Sequence, residues 1–165
     1  MHRAALRHVL VLAAICGVVA PPAMAETVIE LVFDGDARSF EPVTEGARTG
    51  FSRFMSVDAV SIEGADGQAR LVLELSLPPG AAAGSAPHDA RILFRPDGFR
   101  DYWVSPPVFP EGAVAIDNLD LSGRAPRIAG RFEVPLCFTP SPLHVPDPAR
   151  CLPASGRFST ELAAD

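Results

Sequence analysis

From residue 27 onward, apolar and polar residues alternate with a period of two, and no stretch sustains a helical repeat over three turns. The clearest segment sets Leu71, Leu73, Leu75 and Leu77 against Arg70, Val72, Glu74 and Ser76. Successive side chains of a strand point to opposite faces, so this segment is a strand with its leucine face turned inward. Ile29, Leu31 and Phe33 mark a first strand over 27–33. Asp34-Gly35 then suits the positive φ angles of a tight hairpin, and Ser39-Phe40-Glu41 is the predicted return, stopped by Pro42. Further strands are predicted at 57–63, 91–95 and 102–104, with turns at Ala65-Asp66-Gly67 and Asp97-Gly98. Residues 78–89 are a loop rich in Pro, Gly and Ala.

Two later segments carry finer information. Val114 and Ile116 share one parity while Leu119 and Leu121 share the other, so a bulge at Asp117-Asn118 is needed to bring all four to one face. The motif Gly130-Arg131-Phe132, with Leu136 four positions on, recurs as Gly156-Arg157-Phe158 with Leu162. An antiparallel hairpin that places Cys137 opposite Cys151 sets Phe132 against Gly156 and Gly130 against Phe158. Each ring then covers a bare glycine across the ladder. The same register opposes Leu136 to Leu152 and Val134 to Ala154. It also opposes Arg131 to Arg157, which must splay into solvent, pair with outside acids or hold an anion. Pro135 meets Pro153, and the ladder is expected to weaken or bulge there because proline donates no N–H. Together these segments predict an all-β fold: a single antiparallel β-sandwich or closed barrel of about seven to nine strands, with a C-terminal disulfide-linked hairpin.

The first residues follow a different pattern. Arg3 and Arg7 precede an apolar run from Val9 to Ala20, and Ala23-Met24-Ala25 forms a small-x-small site before Glu26. This predicts a cleaved signal peptide over 1–25 and a single β-rich domain over 26–165, either periplasmic or secreted, with no membrane span after cleavage. Cys16 follows the bulky Ile15, which argues against lipid attachment at that cysteine. The 14 basic residues are all arginine; removing Arg3 and Arg7 leaves 12 against 20 acids, a net charge of −8 with His neutral. Such a surface excludes nucleic acid and anionic membrane faces as natural partners.

Cys137 and Cys151 are the two cysteines left after cleavage, and in an oxidising compartment they read as one disulfide. Between them, Pro140, Pro142, Pro146 and Pro148 bracket Leu143-His144-Val145. Each proline fixes its own φ and restricts its predecessor, so the loop is stiff before the bridge forms. Leu143, His144 and Val145 are therefore candidate binding residues, since a stiff loop has little ordering entropy left to lose. Tyr102 and Trp103, the chain's one Tyr and one Trp, are the other candidates: on a strand, one of them faces outward and can stack on a sugar or anchor a partner. Trp103 is the one expected in the core.

Familiar catalytic patterns are missing. There is no GxSxG elbow, and His88 with the adjacent Asp89 sits in a loop. Asp34 and Asp36 begin like a calcium loop, but Arg38 stands where an oxygen ligand belongs. His88 and His144 lack metal-ligand spacing, so neither a metal nor another cofactor is implied. The expectation is a non-enzymatic binding or accessory domain of the cell envelope, meeting a protein or glycan. The alternatives are a carboxylate-dependent hydrolase of envelope polymers and an inhibitor of a secreted enzyme that uses the 137–151 loop.

Overall fold

The computed structural model describes residues 26–165 apart from Met55, Phe99, Arg100, Phe109 and Asp165; the expected signal peptide lies outside the described residues. The strands are β1 (Val28–Phe33), β2 (Asp36–Ser39), β3 (Glu41–Pro42), β4 (Gly50–Phe54), β5 (Val57–Asp66) and β6 (Ala69–Leu77). They continue as β7 (Asp89–Arg95), β8 (Tyr102–Val104), β9 (Val114–Asp120), β10 (Arg127–Thr139), β11 (Cys151–Glu161) and β12 (Ala163–Ala164). All belong to one sheet; ten follow the order β12-β4-β5-β6-β7-β8-β10-β11-β1-β2, while β3 pairs with β5 and β9 with β10. Among the described residues only β12 against β4 is parallel, and the sheet nearly closes into a barrel of 9 strands.

Closure comes from strands that change partner. After β2, Phe40 turns inward and the chain enters β3, which pairs with β5 on the far side of the sheet. After β11, Leu162 does the same and leads into β12 on β4. The return strand thus begins at Asp36, earlier than its Ser39-Phe40-Glu41 expectation. Asp34 (φ 50°) and Gly35 (φ 87°) form the whole turn and set Phe33 directly opposite Asp36. Pro42 ends the strand as expected, but from within it: it is the last residue of β3, opposite Gly64, in a two-residue pairing that asks little of its missing N–H. The β5–β6 turn falls on Gly67-Gln68, later than Ala65-Asp66-Gly67, with Asp66 paired to Ala69 and Gly67 at φ 56°.

The interior is the leucine face of β6 together with Ile29, Leu31, Ile62, Ile92, Phe94, Ile116, Ile128, Phe132 and Phe158. The bulge in β9 sits where expected: Ala129 pairs with Asn118 and Gly130 with Ile116, leaving Asp117 as the extra residue. Val114 and Ile116 are buried, and Leu119 and Leu121 pack against the same core.

The β10–β11 hairpin follows the predicted register from Arg127 opposite Glu161 to Cys137 opposite Cys151. It also runs unbroken through Pro135 and Pro153, without the expected weakening. The reason lies in which way the backbone groups point. Glu133 N–H donates to Ala113 and Asp34 N–H donates to the Pro153 carbonyl, so the odd-numbered residues of both strands direct their polar groups away from each other. Each proline sits where its shared ladder requires no donor. Cys137 and Cys151 have the same parity. In an antiparallel pair that is the closer-approaching position, and they are joined as a disulfide with Cα atoms 3.9 Å apart.

Candidate functional site

Outward-facing positions of β7, β8 and β10 carry the more distinctive feature. Leu93 pairs with Val104, and Val104 with Cys137, so these side chains share the outer face. An outer face should be wet, yet Val104 is 5%, Cys137 4% and Thr139 0% exposed. The loop between the cysteines folds back over them and makes a small second core outside the barrel. Several bonds hold it there. Thr139 Oγ1 donates to the Ser141 carbonyl at 2.7 Å, and Asp147 N–H donates to the Phe138 carbonyl at 2.8 Å. From β7, Arg91 Nη2 donates to the Pro142 carbonyl at 2.8 Å.

The loop's tip points the other way. Leu143 is 94% and Val145 89% exposed, and His144 between them is also exposed. With Pro142 and Pro146 they form one wall of a groove of about 340 Å³, and Ser105, Pro106 and Pro107 form the other. Val108, at 83%, lies just beyond that second wall. The three candidates Leu143, His144 and Val145 are thus together, rigidly backed and accessible.

Tyr102 and Trp103 are split by the strand as expected. Trp103 pairs with Phe94 and Phe138 and faces inward. Its ring meets Phe33 at 5.0 Å and Phe138 at 5.8 Å in edge-to-face geometry. Tyr102 faces outward, with the Arg95 guanidinium 5.9 Å above its ring. Both residues are half-buried. The structure places neither against the stapled groove.

Arg131 and Arg157 face each other across β10 and β11, and each takes an outside acid, the second of the three outcomes open to them. Arg157 forms a bidentate pair with Glu30, at 2.6 and 3.0 Å. Arg131 meets Asp117, the residue that the β9 bulge turns outward. The Arg157 hydrogen bonds and charge hold the Glu30 carboxyl below its usual pKa, and Glu30 in turn raises that of Arg157. Asp120 is also lowered, by the backbone N–H and hydroxyl of Ser122. Both carboxylates are therefore kept ionised, the opposite of what a general acid needs. Among the described residues, no three His, Cys, Asp or Glu side chains converge on a metal-binding position. His88 and Asp89 are both exposed.

No protein-family model, curated protein or solved structure matches this chain.

Proposed function

We propose that this protein is an exported, non-enzymatic binding or accessory domain of the cell envelope, and that the loop closed by Cys137–Cys151 is its recognition surface. The observation that carries the reading is the contrast within that loop. The loop is cross-bonded to β7 and β10 over the buried Cys137 and Thr139, while Leu143 and Val145 are left almost fully in water. Large apolar side chains held out on a stiff support cost stability and solubility unless something covers them. They also bind with little loss of conformational entropy. The same protruding, stapled geometry supports a second reading, an inhibitor that inserts the loop into the cleft of a secreted enzyme.

Two measurements test this. Cell fractionation with N-terminal sequencing is expected to find the protein outside the cytoplasm, beginning at Glu26. Recovery of the intact chain in the cytoplasm overturns the export reading. Cross-linking in the intact envelope is expected to give adducts with the wild type that the Leu143→Ser, Val145→Ser double variant loses. An identical adduct pattern from both proteins overturns the assignment of the surface.

A further inference from the structure

A second surface lies on the other side of Arg91. Two rows of outward residues run across β4 to β7 in exact cross-strand register. One is Ser52, Ala59, Ser76 and Asp89. The other is Gly50, Ser61, Glu74 and Arg91. Small side chains at the β4 and β5 positions leave a trough of about 500 Å³ over the sheet. It crosses three inter-strand spacings, about 14 Å. Asp89 and Arg91 line both this trough and the groove beside the stapled loop, so the two surfaces adjoin at these residues. One row beyond Ser52, on the same outer face of β4, stands Phe54, opposite Val57 and 64% exposed.

We propose that this trough binds an extended, neutral glycan, with one sugar ring on Phe54 and sugar hydroxyls bonded to Ser61, Ser76, Asp89 and Arg91. A sugar hydroxyl both donates and accepts. The floor offers hydroxyls that do both, carboxylates that accept and a guanidinium that donates. An exposed aromatic ring beside such a set supplies the apolar face that the C–H side of a pyranose covers. Glu74 and Asp89 against Arg91 leave the trough slightly acidic, in a chain already strongly acidic, so acidic glycans are repelled. An extended peptide fits less well. β5 and β6, which make up the middle of the floor, are hydrogen-bonded on both sides, so a strand lying across them has no edge to extend there, and the floor offers hydroxyls in place of side-chain pockets. Arg91 reaches from the trough to the Pro142 carbonyl, so a chain lying here ends against the stapled loop.

The proposal concerns a different surface from the recognition loop, and separate variants keep their failures apart. The probes are insoluble chitin and cellulose in co-sedimentation, and soluble hexamers of N-acetylglucosamine and glucose in calorimetry. The wild-type protein is expected to bind one of these polymers. Ser76→Arg, which fills the trough, and Phe54→Ala are each expected to weaken binding tenfold or more with the thermal transition retained. Leu143→Ser with Val145→Ser is expected to leave it unchanged. Failure to bind any of the four probes overturns the proposal, as does binding that both trough variants leave intact. Retention of an extended peptide that Ser76→Arg abolishes, with no glycan retained, overturns the ligand class.

Discussion

Phe132 lies across the β10–β11 ladder from Gly156, with its ring over the bare backbone of the glycine. A Cβ built on Gly156 comes 2.5 Å from the Phe132 ring and also collides with the Glu30 carbonyl of β1. Neither neighbour has room to retreat: the ring belongs to the sealed core, and the carbonyl to a paired strand. Gly156→Ala is therefore expected to destabilise the protein by about 3 kcal/mol, the upper end of what overpacking costs. Thermal denaturation checks this as a drop of roughly 10 °C. Gly130→Ala should behave in the same way, because its added Cβ meets the Phe158 ring at 2.6 Å and the Ala115 carbonyl.

That hairpin was legible because three constraints coincided: two cysteines, a repeated motif, and glycines that need an aromatic cover. β6 was legible from its leucines alone, and the β9 bulge from a parity switch. β4 was not. Its inward positions are Phe51 and Arg53, and the arginine reaches the buried Asp58 at 2.8 Å, so no apolar alternation marks the strand. β3 and β12 are two residues each and exist because the barrel must close, a tertiary demand with no local signal. The stapled loop was visible in its prolines and cysteines. Its second core was not, since Val104 shares the outward parity of Tyr102 and is buried only because the loop returns across it. The trough could not be read in advance, because it depends on the register of four strands, one of them unmarked.

The disulfide closes a loop over a second core, while the main core lies elsewhere. The Cys137→Ala, Cys151→Ala double variant is expected to unfold in one cooperative transition, weakened by about 3 kcal/mol. Loss of any cooperative transition would mean that the barrel depends on the bridge to fold. Because Val104 and Thr139 lie beneath the released loop, the variant should also show new solvent access there. Hydrogen exchange at the backbone of residues 102–104 and 137–139 reads that directly.

Thr139 anchors the same loop from beneath. It is fully buried, and its hydroxyl donates to the Ser141 carbonyl. Thr139→Val keeps the shape and removes the donor, leaving an acceptor unpaired, at an expected cost of about 1–2 kcal/mol. The amides of His144, which bonds to Ser141, and of Asp147, which bonds to Phe138, should then exchange faster. Thr139→Ser keeps the hydroxyl and is expected to retain the wild-type exchange rates. Equal acceleration in both variants would show that the hydroxyl is not what holds the loop.

The Glu30–Arg157 pair fixes a pH dependence with a definite sign. Hydrogen bonds from Nε and Nη2 of Arg157 favour the charged carboxylate, so the folded pKa of Glu30 lies below its unfolded value. A depressed carboxylate contributes its stabilisation fully above the unfolded pKa and loses it as pH falls through the folded one. The pair is solvent-exposed, so the effect belongs in a titration curve more than in a melting temperature. NMR titration of the Glu30 side-chain carboxyl is expected to give a midpoint below that of an unperturbed glutamate. In Arg157→Gln the midpoint should return toward the ordinary value, because the charge is gone and at most a neutral donor remains. High salt should move the wild-type midpoint in the same direction by screening the coulombic part. A midpoint that neither the substitution nor salt alters would show that the two side chains do not hold each other in solution.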